Sequence, residues 1–145
     1  MNLNLDETAW TIAEGQTSEY NFEIRFREFK ENPPTAEYGQ RLNIFWEFRN
    51  PLANGFPDKD ELEKLHEFEN RLIDAVEHDE FSIMSLVLTG NGQREFVFHT
   101  PDPQKFINRL TQIPQEEDAY PIEINLNEDL EWKYYYDEIT NIKNA

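Results

Sequence analysis

The chain has 145 residues, of which 30 are Asp or Glu and 13 are Lys or Arg, so its formal net charge is -17. Its 11 Phe, 6 Tyr and 3 Trp distinguish it from disordered acidic chains, which are poor in aromatic residues. We therefore expect one folded domain over residues 1–145, with its core from about residue 20. The absence of cysteine excludes disulfides and thiolate chemistry.

The charge balance also limits the classes of partner. Nucleic acids and anionic membranes are bound through basic patches, so we expect neither as a direct partner. A basic protein fits better, because the negative field would steer its approach, although solubility alone also explains such a charge. The first residues have no secretory signal pattern, and no apolar run reaches the length of a membrane span, so the cytoplasm is the expected location.

Three strands are expected in the first third of the chain. Ala9–Ala13 is a short candidate that ends at Glu14-Gly15-Gln16. Residues 20–27 alternate apolar and polar side chains, which is the period of a half-buried strand. A loop follows Pro33-Pro34, and the alternation returns over Arg41–Arg49.

The strongest helix pattern follows the third strand. Asp58 and Glu61 have the spacing of a capping box, and helical periodicity continues to about Glu77. The apolar residues of this stripe are Leu62, Leu65, Phe68, Leu72, Ile73 and Val76.

The rest of the chain supplies a hairpin, a helix, a strand and a closing helix. Phe81–Thr89 and Arg94–His99 flank the turn sequence Gly90-Asn91-Gly92. Asp102 and Pro103 begin a second helix, which ends at Pro114. Tyr120–Leu126 is the last strand, and a closing helix from about residue 129 to Ile142 places Trp132 and Tyr135 on one stripe.

From Arg41 onward this order is that of a ferredoxin-like sandwich (βαββαβ), so we expect an α+β fold in which two to three helices cover an antiparallel sheet. The two amino-terminal strands and the last helix are additions. The Tyr20 strand has no evident position in that topology, because the Arg41 strand is central. A longer antiparallel meander with helices on one side is the alternative.

Glu69 breaks the pattern of the first helix, because it falls within the apolar stripe, with His66 one turn earlier. A carboxylate that faces a core needs a cation or hydrogen bonds. We predict a buried structural pair with Arg94, and Arg49 or Arg41 would substitute. The functional alternative is a proton-handling or metal-binding pair of His66 and Glu69.

Other motifs give no catalytic site. Glu63-x-x-His66 has the spacing found in di-iron bundles, but no second such pair is present. Ser18, Ser82 and Ser85 lack the context of a nucleophile elbow, and the five glycines form no phosphate-binding loop. We therefore expect no catalytic residue, no metal site and no cofactor.

Acidic residues outside the core form two clusters. One lies opposite the apolar stripe of the first helix, and the other surrounds the last strand. Each is either a solvated surface or the complement of a basic partner. The candidate partner-binding residues are Asp60, Glu63, Glu67, Asp74, Glu116, Glu117, Asp118, Glu128, Asp129 and Glu131.

Several of these motifs resemble a bacterial family known as domain of unknown function six-nine-five. The matching segments are Tyr38-Gly39, Leu42–Trp46, Gly55 with Pro57, Leu65-x-x-Phe68-Glu69, Thr89–Glu95 and Trp132-x-x-Tyr135. The Glu and Arg of these motifs recur in that family, in agreement with a pairing of Glu69 and Arg94. The resemblance implies an α+β fold, no established activity and no catalytic residue.

Small, acidic, cysteine-free proteins of this size are also similar in type to immunity proteins of bacterial toxin systems, including contact-dependent growth inhibition. The leading hypothesis is a non-enzymatic immunity protein that neutralises a toxin domain, such as a basic nuclease. The alternatives are an acidic regulator of a cellular nuclease or RNA-processing enzyme, and a hydrolase or metal-dependent enzyme centred on His66, Glu69 and Arg94.

Overall fold

The computed structural model describes residue 5 and residues 8–114 and 119–143. Within these residues the secondary structure consists of six strands and three helices. In chain order they are β1 (Ala9–Gln16), β2 (Asn21–Glu28), β3 (Gln40–Glu47), α1 (Lys59–Val76), β4 (Ile83–Gly90), β5 (Gln93–Thr100), α2 (Pro103–Leu110), β6 (Ile122–Glu128) and α3 (Lys133–Lys143).

The six strands form one antiparallel sheet in the order β1-β2-β4-β5-β3-β6. The last four of these, with α1 and α2 on one face, are the predicted ferredoxin-like arrangement. Ile44 lies opposite Phe96 on one side and Ile124 on the other, so β3 is central as expected. The amino-terminal strands β1 and β2 extend the sheet beyond β4. The predicted Tyr20 strand is β2, and it lies beside β4.

The main core lies between the sheet and the pair α1 and α2. Phe68 of α1 is at its centre, with ring centroids 5.3 Å from Trp46 and 5.6 Å from Phe96. Full burial of such side chains contributes about 1.5–3 kcal/mol each. Other buried residues of this layer are Leu42, Ile44, Leu65, Leu72, Val76, Phe98 and Phe106.

Helix α3 covers the opposite face of the sheet. Trp132 and Tyr135 pack there with buried residues of β2, including Ile24 and Phe26. The Trp132 ring stacks on His99 with centroids 3.8 Å apart. The fold therefore has helices on both faces, and the alternative of a meander with helices on one side is wrong.

Several element boundaries differ from the sequence pattern, and two of these differences have a clear structural cause. Strand β1 continues through Gly15, because Gly15 lies opposite Phe22 and leaves room for its ring: an added Cβ would lie 2.5 Å from that ring. Helix α3 begins at Lys133 rather than near residue 129, because Trp132 has a left-handed φ of 56° that ends the preceding turn; the Asp129 carboxylate accepts a hydrogen bond from the Lys133 N–H at 2.8 Å.

The β4–β5 turn is as predicted, and its backbone defines a test. Asn91 and Gly92 have φ of 53° and 84°, the left-handed values that a two-residue hairpin turn requires. Gly92→Ala should lower the free energy of unfolding by about 1 kcal/mol, because an L side chain is strained at that φ while the space around it is open. Urea denaturation measures the change. Asn91→Gly is the control and should not destabilise the protein; equal loss in both variants would contradict this account.

Candidate functional site

Glu69 lies on the buried face of α1, as predicted, but the cation with which it pairs is Arg25 of β2. Arg25 Nη1 donates to Glu69 Oε2 at 3.0 Å, and Nη2 donates to the other carboxylate oxygen, so the contact is bidentate. The Trp10 ring of β1 lies 5.4 Å from the Arg25 guanidinium carbon. This pair attaches α1 to the two added strands.

A second ion pair lies further along the same strand and helix end. Arg27 donates to the Glu77 carboxylate at the end of α1 and to the Met84 carbonyl at 3.1 Å, and both charged residues are buried. Arg27 also lies over the Trp10 ring, at 4.7 Å. Sequence reasoning missed both arginines, although their alternation with Ile24 and Phe26 places them on one face of the strand.

The predicted pairing of Glu69 with Arg94 is therefore corrected. Arg94 is buried directly opposite Thr89, and its Nε donates to Thr89 Oγ1 at 2.8 Å. Burial and the neighbouring Arg25 lower the pKa of Arg94, and the Glu69 charge opposes that shift. Arg94 thus lies in the field of the Arg25–Glu69 pair, and its side chain donates a hydrogen bond to a hydroxyl.

The residues of the enzyme alternative do not share an open site. His66 is exposed on α1, whereas Glu69 and Arg94 are buried on the side of the sheet. Arg49, one of the substitute partners, is exposed, and Arg41, the other, lies on the opposite sheet face. Among the described residues, no group of three His, Asp or Glu side chains is placed to hold a metal ion.

A polar network lies beneath α3 on the other face. Arg41 donates to Asp129 Oδ2 at 2.8 Å and to Asn43 Oδ1 at 2.9 Å. Asn43 and the Tyr134 hydroxyl both donate to Glu95 Oε2, at 2.6 and 2.7 Å. Burial, followed by the charge of Glu95, raises the pKa of Tyr134. The network connects β3 and β5 to the first turns of α3.

Ser85 and His99 form a serine–histidine contact within the sheet. Ser85 Oγ lies 2.7 Å from His99 Nε2, and both residues are fully buried. His99 Nδ1 has no hydrogen-bond partner in the part of the chain that is described, so the third group of a catalytic triad is missing there. Burial, and then the charge of Arg41, lower the pKa of His99 to about 3, so the imidazole is neutral.

The predicted partner-binding residues fall into three groups. Asp60, Glu63, Asp74, Glu128 and Glu131 are exposed, and Glu67 is partly exposed in an ion pair with Arg71. Glu116, Glu117 and Asp118 lie outside the described residues.

Asp129 is the exception among the predicted binding residues. It is buried, it caps α3 and it pairs with Arg41, so its carboxylate faces the protein instead of solvent. In the sequence, Asp129 is only one of several acidic residues before the closing helix. Asp58 and Asp102 directly precede their helices, whereas Asp129 lies four residues before α3, so the sequence spacing gave no comparable capping signal.

Most of the arginines are at least partly withdrawn from solvent. Six of the seven arginines are buried or partly buried, and five of these six form ion pairs. Among the described residues, fifteen acidic residues are exposed against six basic ones: Lys30, Arg49, Lys59, Lys64, Lys105 and Lys133. The exposed side chains of the described residues therefore carry an excess of nine negative charges.

An open depression of about 1240 Å³ lies where β3 and β6 meet the amino-terminal half of α1. Trp46, Tyr120 and Ile122 line it together with Glu61 and Lys64. Charges of both signs are present, so the depression itself does not select a cation or an anion.

No helix in the described part of the chain is long and apolar enough to cross a bilayer.

The model of the Family of unknown function (DUF695) matches residues 8–139, so the chain belongs to this family. No curated protein and no solved structure matches the chain.

The ion pair beneath α1 gives a quantitative test. Glu69→Ala should lower the free energy of unfolding by about 3 kcal/mol or more, because Arg25 then remains partly buried without its partner. Arg25→Met and Arg94→Met are matched variants for a double-mutant cycle measured by urea denaturation. Glu69 should couple more strongly to Arg25 than to Arg94. An unchanged stability of Glu69→Ala, or a stronger coupling to Arg94, would contradict the structure.

His99 predicts how stability depends on pH. Its pKa is about 3 in the folded protein and lies near 6.5 in the unfolded chain, so between these values protons bind the unfolded state preferentially. Stability should fall as the pH is lowered from 6.5 towards 5, and this group contributes about 1.4 kcal/mol per pH unit. Denaturation of the wild type and of His99→Phe across this range isolates the contribution. If the free energy of unfolding depended on pH in the same way in both proteins, His99 would not be held neutral in the folded state.

Proposed function

We propose that this member of the family of unknown function is a non-enzymatic protein that binds a basic protein partner in the cytoplasm. In its most concrete form, it is an immunity protein that binds and neutralises a bacterial toxin domain such as a basic nuclease. The observation that carries the proposal is the separation of charge, with arginines in internal ion pairs and carboxylates on the surface.

This separation matters because an arginine in an internal ion pair cannot contact a partner. The carboxylate with which it pairs also offsets its charge. The exposed carboxylates then act together at long range. Fields of this kind steer an oppositely charged protein and raise its association rate, and close charge pairs in the complex add affinity. A basic nuclease has the complementary charge, because it binds phosphate backbones itself.

The acidic surface is most uniform near β6. Seven acidic residues and no basic residue occur between Leu110 and Lys133. Three of them, Glu123, Glu128 and Glu131, are exposed, and we call these three the β6 strip. By contrast, Lys59 and Lys64 interrupt the exposed acids of α1. We therefore place the centre of the binding surface at the β6 strip.

The non-enzymatic part of the proposal rests on the placement of reactive groups. His66 is exposed and separate from the buried Glu69, and the Ser85–His99 contact is closed to solvent. His99 at a pKa of about 3 is a poor base at neutral pH. These placements support binding as the role of the protein.

Titration calorimetry with the basic proteins that the neighbouring genes encode tests the proposal, since we expect the toxin domain to be among them. We expect a one-to-one complex at micromolar concentration or tighter, together with loss of the toxin's activity in the complex. The absence of binding at micromolar concentration would contradict the proposal.

Charge-reversed variants test where the partner binds. Glu128→Lys with Glu131→Lys should slow association by about tenfold, because both carboxylates belong to the β6 strip. Glu19→Lys with Glu31→Lys is the matched control, since it changes the net charge equally through exposed residues elsewhere. An equal effect of both double variants would show that net charge, and not this surface, determines the rate.

A further inference from the structure

Strand β6 is the last strand of the sheet, so one of its two sides has no neighbouring strand among the described residues. Residues of an antiparallel strand alternate between those that bond to the neighbour and those that point away from it. The Asp129 N–H donates to the Gly39 carbonyl at 2.7 Å, immediately beyond the pair Gln40 and Glu128. Asn127, Asn125 and Glu123 therefore bond towards β3.

It follows that the N–H and C=O groups of Ile124 and Leu126 point outwards from the sheet. The Leu126 side chain is 52% exposed, and Ile124 is half-buried beside it. Asn125 and Asn127 are exposed on the opposite face of the strand. The outer edge thus offers backbone hydrogen bonds, with an apolar row on one face and a polar row on the other.

Free sheet edges usually carry features that prevent pairing with other chains, such as Lys, Pro or a bulge. Residues 122–128 contain no Lys, Pro or Gly, and their register with β3 is regular. Their charges are Glu123 and Glu128, which would repel a second acidic copy of this chain. The same carboxylates would attract a cationic strand.

We infer that the outer edge of β6 binds an extended basic segment of the partner, which adds a seventh strand to the sheet. This inference rests on the proposed function in taking the partner to be basic. The segment would alternate basic and apolar residues, because cross-strand neighbours on the same face interact directly. Lys or Arg would lie beside Glu123 and the asparagines, and apolar residues beside Ile124 and Leu126.

Synthetic peptides test this inference without knowledge of the partner. The first probe is a dye-labelled peptide of alternating Lys and Val. The second has Pro in place of Val, so that it keeps the charge but cannot form a strand ladder. Fluorescence anisotropy should show binding of the first peptide at least about tenfold tighter than that of the second. Amide exchange at Ile124 and Leu126 should slow only with the first.

Two proline variants locate the binding edge. Leu126→Pro removes an outward N–H and leaves the bonds of Asn125 and Asn127 to β3, so the fold should persist. Ile12→Pro is the matched control at the other sheet edge. The Thr17 N–H bonds to the Tyr20 carbonyl, so the N–H of Ile12 also points outwards, and its side chain is 60% exposed. We expect Leu126→Pro to weaken binding of the Lys–Val peptide by about tenfold and Ile12→Pro to leave it unchanged.

Several results would overturn the inference: equal affinity for the two cationic peptides, equal binding by the two variants, or unchanged amide exchange in the wild-type protein. A dimer that sedimentation detects in the wild type and not in Leu126→Pro would make a second copy the occupant. If Leu126→Pro does not fold, the amide-exchange result for the wild type decides. Toxin binding that is equal in wild type and Leu126→Pro would refute the edge contact and leave the proposed function standing.

Discussion

The ion pairs between β2 and α1 are the interaction on which the rest of the structure depends. A ferredoxin-like sandwich needs only four strands, and here two more extend the sheet past β4. The face of β2 towards α1 carries Arg25 and Arg27, which an apolar helix could not cover without leaving two cations unpaired. Glu69 and Glu77 meet these cations, and Trp10 packs against both guanidinium groups. The extended sheet and the helix above it are thereby fixed to each other.

The same pairing determines the electrostatics of the surface. Arg25 and Arg27 lie in contacts beneath α1, and Arg41 lies in contacts beneath α3. Each takes one carboxylate with it, but the chain has more than twice as many acidic residues as basic ones. Of the described carboxylates outside these three pairs, fifteen are exposed to solvent. Structural ion pairs and an acidic exterior are therefore two consequences of one distribution of arginines.

Local patterns predicted most of the fold. Alternation predicted the strands, caps and apolar stripes predicted α1 and α2, and Gly90-Asn91-Gly92 predicted the hairpin. The burial of Glu69 also followed from helical periodicity alone. These features depend on residues that are close in the sequence, so a single amino-acid sequence is enough to predict them.

The errors concern partners that are distant in the sequence. The strand order is needed to decide whether Glu69 pairs with Arg25 or with Arg94. Arg25 on β2 and Arg94 on β5 lie on the two sides of β4, and both face α1. Arg94 lies opposite Thr89, and its hydrogen bond goes there. Asp129 looked like one more surface acid, since its burial depends on Arg41, 88 residues earlier. The acidic cluster around the last strand was predicted from the sequence, and the sheet order shows that this strand is an edge.

The ionic-strength dependence of association with the proposed basic partner tests the central claim most directly. If an acidic surface steers a basic partner, the association rate measured by stopped flow should fall steeply as salt rises, while the dissociation rate changes little. An association rate that is independent of salt would contradict the account, because screening would then have no electrostatic attraction to remove.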